Sequence, residues 1–170
     1  AMQCRTSLEV EHLLAQFRMR QQDVPLVSDE CITLNRDWRS KEEVLKGMTD
    51  NLLLAGRCRY PRKLEADLWA REAVFSTGLG FSFAIPHSKS EHIEQSTISV
   101  ARLAQPVIWG DEEAQFVIML TLNKHSAGDQ HMRIFSRLAR RIMHAEFRQS
   151  LVSAKSSEDI ADLLRRELEL

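Results

Sequence analysis

Phe116-Val117-Ile118-Met119-Leu120-Thr121-Leu122 is a run of apolar residues broken only by Thr121. Such a run suits a central strand covered on both faces, and it is far shorter than the roughly 18 residues that a membrane span needs. A strand buried on both faces requires helices above and below it. Upstream, residues 98–103 alternate as a half-buried strand that Gln105-Pro106 is expected to end. Phe81-Ser82-Phe83-Ala84-Ile85 alternates toward Pro86-His87, behind the turn-rich Ser76-Thr77-Gly78-Leu79-Gly80. Cys31-Ile32-Thr33-Leu34 is a short, β-prone first strand.

Helices separate these strands. Ser40 with Glu43 forms a capping box, Val44, Leu45, Met48, Leu52 and Leu53 give a buried stripe, and Gly56 is placed to stop the helix. Pro61 opens a second helix that buries Leu64, Leu68 and Trp69 and ends near Ala70-Arg71-Glu72. After Gly128-Asp129 a third carries Ile134, Leu138 and Ile142 on one side. A short helix follows around residues 147–152, and Ser156 with Asp159 opens a last one with Ile160, Leu163 and Leu164. The expected fold is α/β (α+β), a small mixed β-sheet sandwiched between α-helices. Thr6 with Glu9, then Val10, Leu13, Leu14 and Phe17, predict an extra N-terminal helix that Asp23-Val24-Pro25 ends. Residues 1–25 are read as that helix or a linker, and 26–170 as a single domain.

Composition narrows the function. In 170 residues, 23 Lys and Arg against 24 Asp and Glu leave a formal charge of −1, without the basic excess of a general nucleic-acid binder. Three dispersed cysteines, Cys4, Cys31 and Cys58, form no CxxC pair, which suits a reducing, cytoplasmic setting and gives no disulfide framework. No HxxxH or HExxH occurs, so no metal ligand set is assigned. GxxxxGK[ST], GxGxxG and GxSxG are also missing, so no nucleotide cofactor and no serine nucleophile are expected.

Two of the six histidines stand out. Pro86 holds Ile85 extended and presents His87 from a rigid strand end, with polar Ser88-Lys89-Ser90 behind it. A neutral imidazole anchored at one nitrogen can act as a nucleophile at the other; the same spacing also fits an ordinary turn histidine. His131 lies in the first turn of its helix, on the Ile134/Leu138 side, where the helix dipole favours anions and lowers a histidine pKa. Arg71, near a helix end, carries a guanidinium suited to phosphate oxygens, or is simply solvated. Arg133, Arg137, Arg140, Arg141, His144 and Arg148 form a basic stripe, read first as a solvated helix face.

Ala70-Arg71-Glu72, Ser76-Thr77-Gly78-Leu79-Gly80 and Ala84-Ile85-Pro86-His87 together resemble the signature of the mannitol/fructose-type enzyme IIA domain of the bacterial sugar phosphotransferase system. The resemblance runs on through Val100-Ala101-Arg102-Leu103, Pro106-Val107-Ile108-Trp109-Gly110, His131-Met132 and Glu146-Phe147-Arg148. It covers residues 26–168, and it departs from the family at Phe75, Phe81-Ser82 and Ser88, which bear on loop shape. It implies a phosphocarrier. His87 would accept a phosphoryl group from HPr or an HPr-like domain, as a tele-phosphohistidine, and pass it to a cysteine of a cognate enzyme IIB during sugar uptake. Arg71 would stabilise the phosphate and His131 would support it. The resemblance implies no cofactor, no metal and no direct membrane insertion. It also implies fusion or linkage to other phosphotransferase components. The alternative is a regulatory enzyme IIA-like module, nitrogen-related or within a transcription regulator, whose phosphorylation state controls a partner.

Overall fold

The computed structural model describes residues 25–125 and 128–170, so the expected N-terminal helix lies outside the described residues except for Pro25. A 3₁₀ turn at Asp29–Cys31 leads into β1 (Ile32–Arg36), followed by α1 (Lys41–Leu54) and α2 (Pro61–Val74). Three short strands come next, β2 (Gly78–Gly80), β3 (Phe83–Ala84) and β4 (His87–Ser90). The long pair β5 (Thr97–Trp109) and β6 (Glu112–Asn123) completes the sheet, and α3 (Asp129–Ile142), α4 (Ala145–Ser153) and α5 (Ser157–Leu168) close the chain.

The run at 116–122 is the core of β6, and β6 is the hub of the sheet. It pairs antiparallel with β5 on one side and parallel with both β3 and β4 on the other. β1 lies parallel to β5, and β2 lies antiparallel to β3. Side chains of β6 point alternately to two cores. Phe116, Ile118 and Leu120 pack with Ile134, Leu138 and Ile142 of α3, Phe147 and Leu151 of α4, and Ile160 and Leu164 of α5. Val117 and Met119 pack with Val44, Leu45, Met48 and Leu52 of α1 and with Leu64 and Leu68 of α2. The result is the expected mixed sheet between two helical layers.

Several local expectations change. Pro106 does not end β5. The pairing with β6 lapses between Arg102 and Val107 and then resumes, so the proline sits in a bulge where no ladder N–H is required. Gln115 fills the gap, its Nε2 donating to the carbonyls of Leu103 at 3.1 Å and Ala104 at 3.4 Å. Residues 98–101 are buried without alternation because helices cover both faces. Phe81 and Ser82 are not strand residues. With φ of 58° and 65° they form a two-residue turn of the mirror-image type joining β2 to β3. A phenylalanine in the left-handed region is strained, and the Arg148 guanidinium lies over its ring, 3.8 Å from the centroid. Leu53 is 44% exposed rather than part of the α1 stripe, and Trp69 is half-buried.

Capping follows the sequence closely. Ser40 Oγ accepts from Glu43 N–H at 3.1 Å, while the Glu43 carboxylate reaches back to the Arg39 N–H at 2.7 Å. At the other end Gly56, with φ +74°, closes α1: Arg57 N–H donates to the Leu52 carbonyl and Gly56 N–H to that of Leu53. Because α1 packs Val44, Leu45, Met48 and Leu52 into the core on this face, Ser40→Ala is expected to lower unfolding free energy by about 1 kcal/mol. Chemical denaturation checks this, as a lower midpoint with an unchanged slope.

Candidate active site

β3 and β4 run along the same edge of β6 in one register, with Ala84 opposite Val117 and His87 opposite Leu120. Pro86 breaks the run in two because it has no N–H to give to the ladder, while its own carbonyl accepts from Leu120 N–H at 2.9 Å. His87 therefore starts β4 on a rigid support. By strand alternation it shares a face with Phe83 and Ile85, the face that α3, α4 and α5 cover.

The half-buried imidazole is held at both nitrogens. Nδ1 lies 2.9 Å from the carbonyl oxygen of Ile85, a group that only accepts, so Nδ1 carries the hydrogen. Nε2 is left with its lone pair, and Arg71 Nε donates to it at 3.2 Å. Arg71 itself is steered by its Nη1–H, which donates to the carbonyl of Phe75 at 2.9 Å, just past the end of α2. The structure thus brings Arg71 and His87 together, as a guanidinium facing the unprotonated nitrogen of an oriented imidazole. A guanidinium can offer five N–H donors. Two are engaged here, which leaves the rest for the oxygens of an incoming anion.

His131 is half-buried, one turn before Ile134 and on the same stripe of α3. Burial pushes its pKa down from the ordinary histidine value, which favours the neutral ring. Its Nδ1 is buried with no hydrogen-bond partner among the described residues. No hydrogen bond among the described residues ties His131 to Arg71 or His87. The basic stripe is only partly a free face: Arg137 donates to the Leu168 carbonyl and Glu169, Arg141 pairs with Glu167, and Arg148 donates to the Ile142 carbonyl. Burial raises the Cys31 and Cys58 thiols above their usual pKa, so neither resembles a reactive thiolate.

Sequence reasoning passed over the residues behind the pair. Glu72, whose side chain is 2% exposed, accepts from Lys41 Nζ at 2.8 Å and from Thr77 N–H at 3.2 Å. Its other oxygen accepts from the Thr77 hydroxyl, and that hydroxyl accepts in turn from Trp109 Nε1 at 3.1 Å. The Lys41 ammonium sits 5.1 Å from the centroid of the Trp109 ring and 5.5 Å from that of Trp69. Glu72, Thr77 and Trp109 stand in the stretches that carry the resemblance, but nothing in their spacing links them to one another or to Lys41.

Residues 25–167 match the family model described as phosphoenolpyruvate-dependent sugar phosphotransferase system, EIIA 2. The chain is 86% identical over 170 residues to multiphosphoryl transfer protein 2 of Escherichia coli strain K12, covering all of this chain and 20% of that protein. It therefore spans about a fifth of that relative's length. The nitrogen regulatory protein IIA-Ntr of Neisseria meningitidis superposes with a TM-score of 0.72 at 25% identity, over 82% of this chain and 96% of that one. The enzyme IIA mannitol component in an Escherichia coli complex with phosphorylated enzyme IIB mannitol gives 0.67 at 21% identity, over 82% and 96%, and bears on the fold alone.

Proposed function

Because the chain belongs to the EIIA 2 family of the phosphoenolpyruvate-dependent sugar phosphotransferase system, we propose that it carries a phosphoryl group on Nε2 of His87. The observation behind this reading is the pair of contacts on the ring: Nδ1–H fixed on the Ile85 carbonyl, and a bare Nε2 facing Arg71. In-line transfer needs positioning and charge stabilisation more than covalent help. The Nε2 lone pair attacks phosphorus of the phosphohistidine of HPr, or of an HPr-like domain. The donor's N–P bond breaks as the new one forms, and the donor ring leaves with the electron pair. The hydrogen stays on Nδ1, bonded to the Ile85 carbonyl, throughout. Arg71 turns its Nε–H and its free Nη hydrogens to the phosphoryl oxygens, and the neutral His131 adds an N–H. In the second half-reaction a thiolate of a cognate enzyme IIB attacks the same phosphorus, and Nε2 regains its lone pair.

The domain in this reading is residues 26–170, acting in the cytoplasm, where buried free Cys31 and Cys58 stay reduced. Among the described residues no helix is long and apolar enough to cross a membrane. A relative named for multiphosphoryl transfer at 86% identity favours a donor domain in the same polypeptide and onward transfer in sugar uptake. The regulatory alternative draws on likeness to IIA-Ntr at 25% identity, which is the weaker support.

Incubation with phosphoenolpyruvate, enzyme I and HPr, read by intact mass, tests the proposal. The expected result is a gain of one phosphate that is lost in acid and chased onto an enzyme IIB cysteine. A folded protein that gains no phosphate overturns the phosphocarrier reading. Stable phosphorylation with no onward transfer to any enzyme IIB favours the regulatory one.

A further inference from the structure

Every polar group of Thr77 is engaged. Its N–H and hydroxyl donate to the two oxygens of Glu72, its hydroxyl accepts from Trp109, and its carbonyl accepts from Ile85 N–H at 3.0 Å. Ile85 in turn supplies the carbonyl that holds His87 Nδ1–H. Pro86 restricts Ile85 to extended backbone, and the Pro86 carbonyl is fixed by Leu120, so the peptide facing the imidazole is clamped on both sides. The same tie shapes the other half of the site. Glu72 follows Arg71 on α2, and drawing Thr77 back onto Glu72 folds the chain at 75–76 so that the Phe75 carbonyl meets the Arg71 guanidinium. Ser76 is pinned from the far side, where its hydroxyl lies 3.4 Å from the Trp109 carbonyl. It also leaves no room for a side chain at Gly110, which has φ +66° and whose added Cβ would lie 2.5 Å from Ser76 Oγ.

We propose that Glu72, acting through Thr77, is a positioning residue that aligns both the Arg71 guanidinium and the His87 imidazole for phosphoryl transfer. The inference rests on the phosphocarrier reading of His87. Burying a carboxylate is costly unless it is paired and hydrogen-bonded. Glu72 meets both conditions, and its remaining capacity goes to the loop that bonds Arg71 through the Phe75 carbonyl and reaches His87 through Ile85. Lys41 is the counter-charge, held by Glu72 and by the two tryptophan rings.

The test uses Thr77→Val, Thr77→Ser and the paired Lys41→Met/Glu72→Gln, which leaves no buried charge alone. Two readouts are taken on each folded variant: transfer from phospho-HPr over a range of donor concentrations, and the ring-nitrogen NMR shifts of His87 at a pH where it is neutral. In Thr77→Val and the paired variant, the transfer rate at saturating donor should fall about tenfold to a hundredfold. Half-saturation should stay within about twofold, because donor binding is untouched. The Nδ1–H tautomer should lose population in both, and Thr77→Ser, which keeps the hydroxyl, should restore rate and tautomer together. The proposal is overturned if Thr77→Val or the paired variant folds and keeps either the wild-type rate or the wild-type tautomer, or if serine restores neither. Should the wild-type chain itself take no phosphate, the carrier reading fails on its own. The tautomer comparison would then still decide whether Thr77 and Glu72 orient His87.

Discussion

His87→Gln is expected to take up no phosphate from phospho-HPr under conditions that fully charge the wild-type chain, while keeping its unfolding midpoint nearly unchanged. The loss should be complete because the proposed nucleophile is a single atom, Nε2 of His87. Among the described histidines, only His87 combines an Nε2 lone pair, a partner that fixes the opposite nitrogen, and a guanidinium in front. His131 lacks that arrangement, since its Nδ1 has no partner to fix it and no guanidinium is bonded to the ring among the described residues. His92 lies in the turn after β4, beside Glu91 at 3.7 Å, with no such cation. Folding should survive because the His87 ring is only half-buried and the strand pairing runs through its backbone. Intact mass with and without acid, alongside chemical denaturation, reads both halves. An acid-labile phosphate on folded His87→Gln would move the acceptor to another residue and sink the assignment.

Much of the fold was legible in the sequence. Hydrophobic period and capping signals placed α1, α2, α3 and α5 because these are local rules: Ser40 and Ser156 accept from the N–H groups three residues on, as spacing predicts. The apolar run at 116–122 marked a strand buried on both faces, and it serves both cores. Two places went the other way for physical reasons. Pro106 reads as a stop, yet an unpaired stretch of β5 absorbs it, and only the partner strand supplies Gln115 to satisfy the carbonyls left open. Phe81-Ser82 reads as strand by composition, since phenylalanine favours strands and lacks the freedom of glycine; the turn is imposed by the hairpin partners and covered by Arg148 from α4. Of the candidate site residues, His87 stands out in the sequence through Pro86, and Arg71 and His131 enter by resemblance; the structure joins Arg71 to His87. Lys41, the Glu72–Thr77 stretch and Trp109 come from three separate parts of the chain, and a contact between such parts leaves no periodic trace.

Arg71→Lys should be nearly as damaging as Arg71→Ala, each slowing transfer at saturating donor by about 10²–10³-fold. The reason is geometric. Arg71 spends its Nε–H on His87 Nε2 and an Nη1–H on the Phe75 carbonyl, and these two bonds set the plane in which its remaining hydrogens face the site. Once phosphorus is bonded to Nε2 the lone pair is consumed, so the Nε–H must find a new acceptor, and a phosphoryl oxygen is the group that has just arrived. The interaction is therefore stronger in the transferring state than in the resting one, which is the condition for accelerating the step rather than merely binding the donor. A lysine ammonium keeps the charge but offers three donors from one point. It cannot hold the Phe75 carbonyl and fork onto two phosphoryl oxygens together. If charge alone mattered, Arg71→Lys would recover most of the rate lost in Arg71→Ala. Rapid-quench transfer from phospho-HPr across donor concentrations separates the two cases. The expected pattern is a large fall in the maximal rate for both variants with half-saturation little altered. A lysine variant within about threefold of wild type would reduce Arg71 to a source of field and remove the fork from the mechanism.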